Sequence, residues 1–344
     1  MFHRFARPLL IGAALSLASG PQAFAQSTPN TRPAPAAAPI HDEAAVVVSG
    51  TQPGPGLWKV SRDGHVMWVL GTQSPLPRRM QWHSKEVEDA LAASQEVLYA
   101  PSLGITFGGG GFFSNLFLLP KVYGARKNPD GKTLRDVLPA SLYARWVPLR
   151  ERYLGSGRGA ERMRPLFAAG ELWDEALDDN DLGSSGIVMP VVRAAVKAHG
   201  LRETRPSRTL KITDTKAVLA EMEHASLDDT QCMEATVRRL EAGPTRLRAR
   251  ANAWAVGDIA ALRALPDVDQ NHACSEAAFE SPALRKRGGE GIDAEMERIW
   301  LEAAEKALAA NDSTFALLPI GNLLSDDGYL SKLAARGYEV TAPE

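Results

Sequence analysis

Cysteine is scarce. Cys232 and Cys274 are the 2 cysteines in 344 residues. With no nearby Cys or His pair, a zinc site is disfavoured, although His272 lies two residues before Cys274. Histidine is also sparse, at 7 residues. His3 and His41 precede the periodic part of the chain, and His65, His83, His199, His224 and His272 are dispersed. No pair has metal-ligand spacing, so each reads as a surface or capping histidine. No apolar run is long enough to span a bilayer. A strong charge bias is lacking too, the formal net charge being −2. The basic clusters Arg202 to Arg208 and Arg246 to Arg250 are balanced elsewhere and read as solvated faces. Nothing here argues for nucleic acid as a partner. Gly108 to Gly111 are not followed by Lys-Ser/Thr or by a dinucleotide-binding spacing. No nucleophile-elbow word surrounds any serine.

Apolar residues make up 44% and charged residues 23% of the chain, which suits one large globular domain or two small ones. Residues 1–25 read as a secretory signal. Arg4 and Arg7 precede the apolar stretch Leu9 to Leu17, and Ala23-Phe24-Ala25 supplies a small-x-small cleavage site. The expected location is exported, in the periplasm of a Gram-negative source or secreted. No lipobox cysteine follows. Export permits a disulfide, and Cys232–Cys274 is the expected pair, with two free thiols as the alternative. Residues 26–56 are rich in Pro, Ala, Ser and Thr and read as a disordered linker, with a weak strand signal at Ala45 to Val48. A single folded domain is expected over 57–344.

That domain opens with Leu57-Trp58-Lys59-Val60-Ser61-Arg62, then Asp63-Gly64, then His65 to Thr72. Asp-Gly tolerates positive φ, so two strands joined by a tight turn are predicted. Ser84 is placed to cap a helix with Val87, Ala90 and Leu91 inward. Val97-Leu98-Tyr99 reads as a buried strand whose end lies beside that of the second strand, an arrangement in which α/β folds commonly form sites. Leu142, Trp146, Leu149 and Tyr153 form a helical stripe that reads as core. Further helices are expected over Pro165 to Leu177, Gly186 to His199, Asp228 to Leu240, around Leu247 and Trp254, over Ile259 to Leu265, and from Asp293 to Ala309. Cys274 falls in the expected loop after the Ile259 helix, and Glu280 to Ile292 reads as a further loop. Phe315 to Ile320 reads as a buried strand, followed by a last helix over Tyr329 to Arg336 and a last strand over Tyr338 to Val340. The fold class is therefore α/β (α+β), a mixed central sheet with surrounding helices. Gly108 to Leu119, glycines beside Phe and Leu, reads as a loop leading to a buried helix or as a mobile lid.

The words Leu57-Trp58-Lys59-Val60, Gly71-Thr72-Gln73-Ser74, Ala92-Ala93-Ser94, Val97-Leu98-Tyr99, Gly321-Asn322 and Arg336-Gly337-Tyr338-Glu339-Val340 resemble those of the TraB/GumN family. Its wider group includes the Tiki proteases and the ChaN-like and erythromycin-esterase-like proteins. The resemblance is specific at both ends of the domain and loose between them. It implies a metal site built from a His, a Glu and a second His. The corresponding places here hold Ser74, Tyr99 and Asn322, none of them a usual ligand of a divalent transition metal.

The expected ligand-binding residues at the former site are Gly71, Thr72, Gln73, Ser74, Tyr99, Gly321 and Asn322, a neutral hydrogen-bonding set. No metal, cofactor or catalytic residue is expected. The reading is an exported, catalytically degenerate pseudoenzyme that binds a small ligand or an envelope protein. The alternative is an active metal-dependent hydrolase or peptidase using other ligands. Asp326-Asp327, near Asn322, is the main candidate for such ligands, although turn and capping chemistry explains it as well. Ser74 as a nucleophile would need a base, and His83 is the nearest in sequence.

Overall fold

A computed structural model describes residues 53–108, 123–157, 159–183, 186–224, 229–265 and 270–343. The expected export signal, most of the linker and the segment 109–119 of the expected lid lie outside the described residues.

In chain order the first elements are β1 (Leu57–Arg62), β2 (His65–Thr72), β3 (Leu76–Pro77), α1 (Lys85–Ala92), β4 (Glu96–Leu98) and β5 (Ser102–Phe107). Next come α2 (Leu134–Val137), α3 (Ala140–Tyr153), α4 (Pro165–Asp179), β6 (Leu182–Gly183), α5 (Val188–His199), β7 (Arg202–Thr204) and β8 (Ser207–Ile212). Five helices follow: α6 (Thr215–His224), α7 (Thr230–Glu241), α8 (Gly243–Ala255), α9 (Ile259–Ala264) and α10 (Gln270–Phe279). The chain then forms α11 (Ile292–Ala310), β9 (Ser313–Pro319), α12 (Ile320–Leu324), α13 (Tyr329–Ala335) and β10 (Glu339–Thr341). This is an α/β fold.

The hairpin forms as its turn chemistry predicts. Asp63 at φ 54° and Gly64 at φ 87° are both left-handed, as a two-residue primed turn requires. The main sheet has six strands in the order β10-β1-β2-β9-β4-β7. β1 runs antiparallel to β10 and β2, and the pairs β2–β9, β9–β4 and β4–β7 are parallel. The ends of β2 and β4 are thus not neighbours, as the sequence suggested, because β9 is inserted between them. The physical reason lies in its composition. Phe315, Ala316, Leu317 and Leu318 are all buried, and an apolar run of this kind suits a strand covered on both faces.

Around the sheet, Trp300, Leu301, Ala304 and Leu308 of α11 join Val60, Met67, Leu98 and Phe315 in one core. Val87 and Leu91 of α1 and Val188 and Val192 of α5 belong to it as well. Ser84 stands at the N-terminus of α1, as expected, but its hydroxyl bonds the Glu88 carboxylate rather than a backbone amide.

A second core is helical. Leu142, Trp146 and Leu149 of α3 pack with Leu172 and Trp173 of α4 and with Cys232, Met233 and Val237 of α7. Cys232 and Cys274 stand at disulfide distance, their Cα atoms 4.4 Å apart. Cys274 lies on α10 and not in the expected loop. The stretch Gln270 to Phe279 has little amphipathic pattern, and its helix is packed against α7. The expected loop Glu280 to Ile292 holds a short helical turn at Pro282–Leu284 and a wider turn at Arg285–Gly289. Among the described residues, no helix is long and apolar enough to cross a membrane.

Candidate functional site

The parallel strands β2, β9 and β4 end on the same edge of the sheet. A cavity of about 380 Å³ opens there. Thr72, Gln73 and Ser74 line it from the end of β2, Tyr99 from the end of β4, and Leu317 and Pro319 from β9. Val188 and Met189, in the first turn of α5, supply an apolar wall, and Arg205 supplies the cation. Among the described residues no histidine lines it.

Thr72 donates its hydroxyl to the Leu318 carbonyl at 3.2 Å, tying β2 to β9. Gln73 is buried, and its amide nitrogen donates to the Ser74 carbonyl at 3.0 Å. Its amide oxygen accepts from Nε of Arg250 at 3.1 Å. Arg250 is only 4% exposed and also donates to the carbonyls of Leu262 and Leu265. The expectation that Arg246 to Arg250 form a solvated face therefore fails at its last member. Buried there, its guanidinium fixes Gln73 and the end of α9 together.

Ser74 is exposed, and its peptide bond to Pro75 is cis. Its carbonyl also accepts from Arg239 at 3.1 Å. Gly71, next to Thr72 on β2, does not line the cavity. Its carbonyl accepts from the indole nitrogen of Trp254 at 2.7 Å, and a Cβ there would run into the Ile320 side chain.

Tyr99 is 6% exposed, and its hydroxyl donates to Glu203 at 2.7 Å. Burial, and then the bond to Glu203, push the phenol up to about 12. The bonds from Tyr99 and Arg205 hold the Glu203 carboxyl below its usual range. Arg205 also lies over the Tyr99 ring, its guanidinium carbon 3.5 Å from the ring centre. Nor is the 202–208 cluster merely solvated. Arg202 pairs with buried Glu96 at 2.6 Å, and Arg208 with Glu295 at 3.1 Å.

Gly321 and Asn322 occupy α12, the turn that directly follows β9, and do not line the cavity. The Asn322 amide oxygen accepts from the backbone N–H of Tyr329 at 3.0 Å, so it caps α13. Asp326 and Asp327 are exposed, and Asp327 pairs with Lys332 at 3.2 Å. Of the seven expected residues, the fold brings Thr72, Gln73, Ser74 and Tyr99 to one cavity. Gly71, Gly321 and Asn322 do not line it.

Sequence reasoning missed Arg205, Val188 and Met189. A basic residue directly after the short, mostly exposed strand β7 gives no local signal of its target. The α5 residues carried only a helical apolar pattern.

The profile of the TraB/PrgY/gumN family matches residues 56–342. The chain belongs to this family. No curated protein matches it, and no solved structure does.

The residues at the three implied ligand positions do not fit a divalent transition metal. Ser74 offers a neutral hydroxyl. Tyr99 offers a phenol whose proton is committed to Glu203. Asn322 offers an amide oxygen already engaged by the backbone of Tyr329. Among the described residues, no group of three or more His, Cys, Asp or Glu side chains is arranged to hold a metal ion.

Proposed function

We propose that this TraB/PrgY/gumN family member is an exported, non-catalytic binding protein. Its strand-end cavity takes a small ligand or a short segment of an envelope protein. The observation that carries this reading is the chemistry of the cavity wall. Hydroxyls of Thr72 and Ser74 face apolar Val188, Met189 and Leu317, with one cation, Arg205, at the rim. Such a wall orients a bound group through hydrogen bonds and apolar contact. Among the described residues, its lining includes no histidine or carboxylate to serve as a general base or to activate water.

The cavity volume lies within the range typical of small-molecule sites, roughly 300–1,000 Å³. A ligand with an apolar body and a hydrogen-bonding head would match both the α5 wall and the strand-end polar groups.

The test has two arms. Protein purified from the exported fraction without chelators, then exposed to zinc, manganese and cobalt, is expected to hold no stoichiometric ion by elemental analysis. One tightly held ion per chain, together with metal-dependent peptide hydrolysis, would establish the hydrolase alternative instead. In the second arm, native mass spectrometry of the same protein is expected to show a small adduct or a bound peptide. Met189→Trp, which fills the cavity, should abolish it.

A further inference from the structure

A second cavity, of about 450 Å³, lies in the helical part of the protein. Its lining is unlike that of the strand-end site. Arg135 of α2, Arg150 of α3 and Arg162 of the following turn line it, with Glu161 as the only carboxylate among the described residues. Tyr143, Thr133 and Ser156 add hydroxyls.

The local structure explains how these groups come together. Tyr143 and Arg150 are seven residues apart on α3, two helical turns, and so share a face. Two of the three guanidinium groups lie against aromatic rings. Arg135 is 5.3 Å from the Tyr143 ring centre, and Arg150 is 5.6 Å from that of Trp146. The two rings are themselves 5.8 Å apart. A guanidinium resting on a ring keeps its edge N–H groups available for in-plane hydrogen bonds.

The polar groups are not mutually satisfied. Nε of Arg150 is buried without a hydrogen-bond partner. Arg150 pairs with Glu151, which stands in solvent, at 3.1 Å. Glu161 accepts from the Tyr143 hydroxyl at 2.8 Å through one oxygen, while its other oxygen is buried and unpartnered. Among the described residues, Arg135 and Arg162 are in no ion pair. Nearby Asp136 is committed to the backbone and hydroxyl of Thr133. Two residues that line a cavity with excess positive charge, Arg150 and Glu161, therefore each carry one unpaired buried polar atom. Buried polar groups left unpaired are costly, and a ligand that supplies both partners removes that cost.

We propose that this cavity binds a small anion carrying a hydroxyl beside its charged group. A phosphate or carboxylate meets the arginines, and the hydroxyl donates to Glu161. Bidentate recognition of such groups is the particular strength of arginine. The site is separate from the strand-end cavity and shares no lining residue with it.

The test is calorimetric titration of the full-length protein at low ionic strength. Glucose 6-phosphate represents the phosphate class, gluconate the carboxylate class and glucose the neutral control. At least one anion should bind ten-fold or more tighter than glucose, and which of them does so identifies the class. Arg150→Met and Arg162→Gln should each weaken that binding at least ten-fold. Arg162 is exposed, so its variant keeps the test informative if Arg150→Met fails to fold. Glu161→Gln should leave inorganic phosphate binding intact while removing the preference for the hydroxyl-bearing anion. Arg298→Gln, in an exposed pair with Glu302, should change nothing. Anions that bind no better than glucose would overturn the proposal. So would arginine variants that behave like Arg298→Gln.

Discussion

The sheet and the helical part are held together by different means. The sheet joins segments far apart in sequence, since β1 and β2 pair with β10 and β9 from the other end of the chain. Its order comes from backbone ladders and from a buried polar knot at the strand starts. There Glu96 accepts from Arg202, Thr204 and Asn311, and Asn311 also donates to Thr314. The helical part draws its core from two local stretches, Leu134 to Leu182 and Cys232 to Leu247, joined by Ala277. Among the described residues no ladder ties its helices to one another, so side-chain packing and the Cys232–Cys274 pair hold α10 in place. A region built from local segments needs a staple at the one segment that arrives late in the chain. A region whose strands interleave the chain ends does not.

The largest expected effect breaks the helical side of this contrast. The cysteines are separated by 42 residues. In the chain-entropy model, closing a loop of that size contributes about 4 kcal/mol. The combined Cys232→Ala and Cys274→Ala variant is expected to lose about that much in denaturant unfolding. Amides of α7 and α10 should lose hydrogen-exchange protection first, and those of β2 and β9 last. Simultaneous loss would show that the two regions unfold as one. Thiol titration of the unfolded, unreduced parent protein should find no free thiol.

A smaller effect probes the sheet. Burial by itself would raise the Glu96 carboxyl, but the bonds from Arg202, Thr204 and Asn311 outweigh it and hold the group below its usual value. A depressed carboxyl stabilises the fold above its unfolded pKa, about 4.3, and that stability is lost as pH falls through the folded value. Acid should therefore weaken the parent protein below about pH 4. Glu96→Gln should cost about 2 kcal/mol at pH 7, the worth of a charge-assisted hydrogen bond. It should also flatten the acid dependence. An unchanged melting curve against pH would remove Glu96 from this role.

The smallest effect concerns Asn322. As a cap on the N–H of Tyr329, its replacement by Ala should cost about 1 kcal/mol. Ligand binding at the strand-end cavity should be unaffected, because Asn322 does not line it. A large loss of binding with little loss of stability would return Asn322 to the site.

Much of the fold is legible in local chemistry. Asp63-Gly64 announces its turn, and Gly200 ends α5 in the left-handed conformation. Asp258 caps α9 by accepting from the Ala261 amide at 2.8 Å. These signals act within a few residues, so they survive without knowledge of the fold. Helix α10 was not legible. Its sequence, Gln270 to Phe279, is polar and weakly patterned, and it gains order from α7 and the cysteine pair. Within the candidate site, the Gly-Thr-Gln-Ser word pointed to the right strand end. The partners of that word did not follow from it. Arg250 reaches Gln73 across 177 residues of sequence.

The sequence by itself determined the β1–β2 hairpin, most of the longer helices, strand β9 and the turn chemistry. Those depend on residue type and short spacing. Only the tertiary structure decided that β9 separates β2 from β4, that Arg205 covers Tyr99, and that Asn322 caps a helix instead of facing the cavity. Each of these is a contact between segments whose approach depends on how the whole sheet is ordered. No local pattern encodes it, because the free energy that selects it comes from burying both faces of β9 at once.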